Sequence, residues 1–113
     1  MDMSMEPMAD GVVRVVLRGR LDSPGVDSIE TRLTASLVPR GESAIVDLSG
    51  VEFAGSMAIR MFITIAKALA RKDRRLALYA PQPAVAETFE MVALDSIIPV
   101  AADAAGAVER VRA

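Results

Sequence analysis

The feature that most constrains this chain is a change of hydrophobic period that recurs along its whole length. Runs with every second residue apolar give way to runs with apolar residues three and four apart, and the exchange then starts again. Val13, Val15 and Leu17 share one strand face, while Arg14 and Arg18 fall on the other. Val26, Ile29, Leu33 and Leu37 follow at helical spacing, with Ser23 read as the N-cap, Pro24 as the first helical residue and Pro39-Arg40-Gly41 as the stop. A second strand runs from Ser43 to Ser49, a loop from Gly50 to Gly55, and a long helix from about Ser56 to Lys72. Arg75 to Ala80 reads as a third strand. Pro81 and Pro83 open a helix with the stripe Val85, Phe89 and Val92. Ile97, Ile98 and Val100 form a short strand, and Asp103 caps a last helix towards Val111. Residues 1–11 read as a loose start or an edge strand, and 12–113 as the domain itself.

Strand–helix alternation of this kind needs crossover connections, which pair strands in parallel and lay helices on the sheet. The expectation is a single α/β domain. It has a mixed, mostly parallel sheet of four to five strands and about four helices packed mainly on one face. A length of 113 residues fits one such domain. With 52% hydrophobic but only 4% aromatic residues, the core has to be built from Val, Ile, Leu, Met and Ala.

Composition also removes function classes. There is no Cys, so thiolate chemistry and disulfides are excluded, and no His, the commonest general base and zinc ligand near neutral pH. No P-loop or Gly-rich dinucleotide motif is present either. The chain is therefore expected not to be an enzyme and to need no cofactor and no metal. A net charge of -2, with no basic run and few aromatics to stack on bases, argues against nucleic acid as a partner. The most apolar stretch, Phe53 to Ala70, is interrupted by Arg60 and Lys67, and the first ten residues lack a signal-like apolar segment. A cytoplasmic protein without membrane insertion is expected.

The helix starting at Ser56 carries the functional expectation. On a helical wheel Ile59, Phe62, Ile63, Ala66, Leu69 and Ala70 gather on one side, taken as the core face. Met57, Arg60, Met61, Thr64 and Ala68 lie opposite, with Ile65 on their flank. Two Met residues one turn apart suit an adaptable binding surface, or else another part of the chain covers them. Ser56 stands where an N-cap belongs. A phosphate there would be held by free N–H groups and would charge the neighbouring apolar surface. Asp47, at a strand end, is expected to hold the next turn through its side chain.

Three segments resemble the STAS domain, the family named for sulfate transporters and anti-sigma-factor antagonists. Gly19-Arg20-Leu21-Asp22 is similar to the family's turn after the first strand. Val46 through Phe53 resembles its strand-to-loop approach to the phosphorylatable residue. The stretch from Pro83 through Val85, Phe89 and Leu94 to Ile97 and Ile98 resembles its late helix and strand. The resemblance implies a regulatory binding module whose partner is an anti-sigma factor that is also a serine kinase, with a phosphatase to reverse the modification. It places the phosphorylation at Ser56 and the partner-binding surface at Asp22, Gly55, Ser56, Met57, Arg60, Met61 and Thr64. Where the family's usual pattern is Asp-Ser-Ser/Thr-Gly, this chain has Gly55-Ser56-Met57-Ala58. The alternative that the resemblance implies is an unphosphorylated STAS subunit of a lipid-transport ATPase complex. A homodimer is compatible with either.

Overall fold

A computed structural model describes residues 1–112, apart from the side chain of Asp10. The elements are β1 (Asp2–Pro7), β2 (Val12–Leu21), α1 (Ser23–Leu37), β3 (Ser43–Ala54), α2 (Ser56–Ala70), β4 (Leu76–Tyr79), α3 (Pro83–Met91), β5 (Val100–Ala101) and α4 (Ala104–Arg112). Short 3-10 turns occupy Ala9–Gly11, Val38–Arg40 and Leu94–Ser96. The strands form one sheet in chain order, with β1 antiparallel to β2 and every later pair parallel. This is the expected mixed, mostly parallel α/β sheet, with five strands.

The crossovers all step in the same direction, so α1, α2 and α3 lie side by side on one face. There Val13, Val15, Leu17, Ala44, Val46, Leu48 and Leu78 meet Ile29, Leu33, Phe62, Ile65 and Phe89. The α4 helix crosses to the opposite face, where Ala107 and Val111 cover Val12, Ile45, Ala77 and Tyr79. Beyond α4 that face is polar: Arg14 sits between Glu6 at 3.1 Å and Asp47 at 3.8 Å. Burial, and after it the Asp47 charge, raises the Tyr79 phenol above its ordinary range. Asp47 also accepts a hydrogen bond from the Ser49 N–H at 2.9 Å, the turn-holding role expected of it.

Several element boundaries differ from the sequence expectation. The stretch Gly50–Gly55, read as a loop, continues β3 as far as Ala54. Its pairing with β2 slips twice, and each slip inserts one extra β3 residue. These bulges break the strict alternation by which a strand is recognised. The α2 helix stops at Ala70 rather than Lys72. On α3, Val85 and Phe89 are buried as expected, but Val92 lies past the helix and is exposed. The last strand is confined to Val100–Ala101, preceded by the 3-10 turn at Leu94–Ser96; Ile98 is buried and Ile97 exposed. Asp103 caps α4, accepting from the Gly106 N–H at 2.8 Å.

Candidate functional site

Because the crossovers step one way, the N-termini of α1 and α2 stand next to each other at the carboxyl ends of β2 and β3. The Gly55 N–H, donating to the Leu21 carbonyl at 3.2 Å, ties the two chain turns together. Between them is a shallow cleft of about 260 Å³ lined by Leu21, Asp22, Ser23, Phe53, Gly55, Ser56 and Met57. Four residues singled out in the sequence, Asp22, Gly55, Ser56 and Met57, are therefore brought together.

The two helix starts are built differently. Asp22, not Ser23, is the N-cap of α1: its Oδ1 accepts from the Gly25 N–H at 2.9 Å. Ser23 and Pro24 are then the first two helical residues. The N-cap of α2 is Gly55, which has no side chain to offer, and Ser56 is the first helical residue rather than the cap. The N–H groups of Ser56, Met57 and Ala58 have no intrahelical acceptor by the geometry of any α-helix. Ser56 is exposed, and no described residue engages its hydroxyl.

The face of α2 turned to the sheet also differs from the wheel. Its buried residues are Ala58, Met61, Phe62, Ile65 and Leu69. Met61, expected on the binding surface, is 1% exposed and belongs to the core. Ile59, Ile63 and Ala66, expected at its centre, are only partly buried, and Ala70 is exposed. The reason is that α2 is apolar on three sides, so a wheel cannot choose its axis. Met57 is half-buried, and the Ser23 hydroxyl donates to its sulfur at 3.0 Å. Arg60 and Thr64 remain exposed along the outer side of α2. The polar residues expected on the surface are thus on it, and the exposed Met pair is not.

Two residues of the site were not singled out in the sequence. The second bulge in β3 brings Phe53, instead of Glu52, into register with Arg20. The Arg20 guanidinium stacks over the Phe53 ring, 4.8 Å from its centroid, and its Nε lies 3.5 Å from Asp22 Oδ2. Phe53 is 40% exposed, one of few large apolar side chains left open to solvent. A lone Phe shortly before Gly55, in so aromatic-poor a sequence, was the available signal.

The STAS domain model matches residues 7–107. The chain belongs to the STAS domain family. Across 93 residues it is 33% identical to BtrV of Bordetella bronchiseptica, described as a putative anti-sigma factor antagonist, covering 81% of this chain and 79% of that protein. The fold is shared with an anti-sigma factor antagonist from Mycobacterium paratuberculosis at a TM-score of 0.87, with 24% identity over 99% of this chain and 94% of the other. It is shared too with the anti-sigma factor antagonist SpoIIAA in its unphosphorylated form, at a TM-score of 0.79 and 22% identity, covering 98% and 96%. Among the described residues of this STAS domain, no group of three or more His, Cys, Asp or Glu is placed to hold a metal ion. Among the same residues, no helix is long and apolar enough to cross a membrane.

Proposed function

We propose that this STAS domain is an anti-sigma-factor antagonist that binds an anti-sigma factor through the surface around Ser56. That partner is also a serine kinase, and phosphorylation of Ser56 breaks the complex. The observation that carries the reading is the open start of α2. An unengaged, exposed hydroxyl stands on uncapped N–H groups, in a cleft shared with Phe53, over whose ring Arg20 stacks. An aromatic ring and an Arg at the rim of a cleft are the residue types that dominate protein–protein binding energy. A shallow cleft with no buried polar floor suits a protein surface better than a small ligand.

In the modification step the Ser56 oxygen attacks the γ-phosphorus of a nucleoside triphosphate. The hydroxyl proton leaves and a nucleoside diphosphate departs. The product carries about -1.5 to -2 charges at neutral pH. Free N–H groups at the helix start hold that charge in the unbound protein. In a complex the same charge has to be stripped of water against Phe53 and Met57, which disfavours binding. SpoIIAA, of the same fold, has been solved in a phosphorylated form as well.

The test is the affinity of the purified kinase-type anti-sigma factor from the native host for three forms of the domain. Wild type and Ser56→Ala are expected to bind alike, and Ser56→Asp at least about tenfold more weakly, which is about 1.4 kcal/mol. Equal affinity for wild type and Ser56→Asp sinks the switch. Recovery of the domain with an ATPase subunit, and with an unmodified mass throughout, supports the transport reading instead.

A further inference from the structure

Arg20 stands where three groups converge. Its guanidinium lies over Phe53, its Nε faces Asp22, and both of those residues line the cleft that Ser56 also lines. Register fixes this arrangement, since Arg20 and Phe53 are direct partners across β2 and β3. The ring edge of Phe53 lies 3.2 Å from where a Cβ on Gly55 would stand, so the ring that carries Arg20 packs beside the residue preceding Ser56.

Neither present partner holds Arg20 firmly. Its cation–π contact is exposed to solvent and therefore weak. Its ion pair with Asp22, at 3.5 Å and exposed, is weak as well. A phosphate dianion is a better partner than either, because the planar guanidinium fork matches two of its oxygens. We infer that Arg20 is the internal reader of a phosphate on Ser56: its guanidinium leaves the Phe53 ring and pairs with the phosphate across the cleft. The ring is then uncovered and the cation spent, so the rim loses the Arg–aromatic pair as well as gaining charge. This deepens the proposed switch and rests on Ser56 as its site.

Four charged residues lie on the elements that flank Ser56. Arg20 and Asp22 come from the end of β2 and the start of α1, Glu52 from the β3 bulge, and Arg60 from one turn further along α2. They pull the phosphate's second ionisation in opposite directions. A cation favours the dianion and lowers the pKa from about 6, while a carboxylate raises it.

The experiment installs phosphoserine at position 56 by genetic encoding, with no kinase, and follows the phosphate by 31P NMR titration. Wild type is expected to titrate below the ordinary value. Arg20→Gln should raise the midpoint by several tenths of a unit, and Asp22→Asn, which keeps a capping oxygen, should lower it. Arg60→Gln should move it less than Arg20→Gln. In the same samples, nuclear Overhauser contacts between the Arg20 side chain and the Phe53 ring should be present without phosphate and lost with it. An unchanged midpoint in Arg20→Gln, or a shift found only in Arg60→Gln, overturns the inference. If the installed phosphate recruits Arg20 but the host protein is never phosphorylated, the inference stands and the proposed switch falls.

Discussion

Two helices begin side by side at the carboxyl ends of β2 and β3, and only one of them is finished as a folding problem would demand. The α1 start is closed. Asp22 caps it, Pro24 fits its first turn, and Gly25 is buried so tightly that an added Cβ would overlap the Arg20 carbonyl oxygen. The α2 start is open. Gly55 supplies no side-chain cap, and the Ser56 hydroxyl is unengaged. A side-chain cap is worth about 1 kcal/mol and is easily encoded, so its absence at α2 rests either on the Phe53 ring, 3.2 Å from a Cβ at residue 55, or on a use of the free N–H groups. On the function proposed above, the unfinished start keeps its N–H groups and hydroxyl available for modification of Ser56.

Substitutions at the two starts test this contrast, beginning with the largest effect. Gly25→Ala is expected to destabilise by about 2–3 kcal/mol, because backbone and not a movable side chain occupies the space. In thermal unfolding that is a drop of roughly 10 °C or more. Asp22→Ala removes the cap and should cost about 1 kcal/mol by urea denaturation. If either variant proves as stable as wild type, the closed start is not closed in the energetic sense, and the comparison fails.

How much of this was legible beforehand differs between the same regions. The alternation of periods gave the parallel sheet and the helix order, because residues such as Val13, Val15 and Leu17 obey the pleat strictly. The second half of β3 was illegible because two bulges destroy that period, and with it went the pairing of Phe53 with Arg20. The solvent-facing side of α2 was only half legible. Arg60 and Thr64 are outside because charge and polarity decide them, but Met61 is inside because three apolar sides leave the wheel undetermined. At α1, Asp22 and Ser23 are both competent caps, and the choice is made by where Gly25 packs.

Ser56→Asp provides a smaller and opposite effect. An acid in the first turn of α2 faces the helix dipole and should stabilise the free domain by about 0.3–1 kcal/mol, while weakening the complex as proposed above. A variant that is more stable alone and poorer at binding separates the two roles of the open start. If Ser56→Asp instead destabilises the free domain, Asp22 repels the new charge across the cleft more than the dipole favours it.

The smallest expected change comes from closing the open start. Gly55→Asp supplies the missing cap, and a cap residue gains only a few tenths of a kcal/mol over Gly. Its Cβ would stand 3.2 Å from the edge of the Phe53 ring, which the exposed end of that ring can relieve by a shift of a few tenths of an ångström. Thermal unfolding should therefore rise by about 1–2 °C. The same carboxylate would occupy the N–H groups that a Ser56 phosphate needs. The phosphorylated form should therefore gain less from Gly55→Asp than the unmodified form does, or lose. Unfolding curves for wild type and Gly55→Asp, each with and without the phosphate, measure that coupling directly. A stabilisation equal in both forms means the phosphate does not use the α2 N–H groups. A loss of about 1 kcal/mol in the unmodified form means Phe53, not function, keeps residue 55 a glycine.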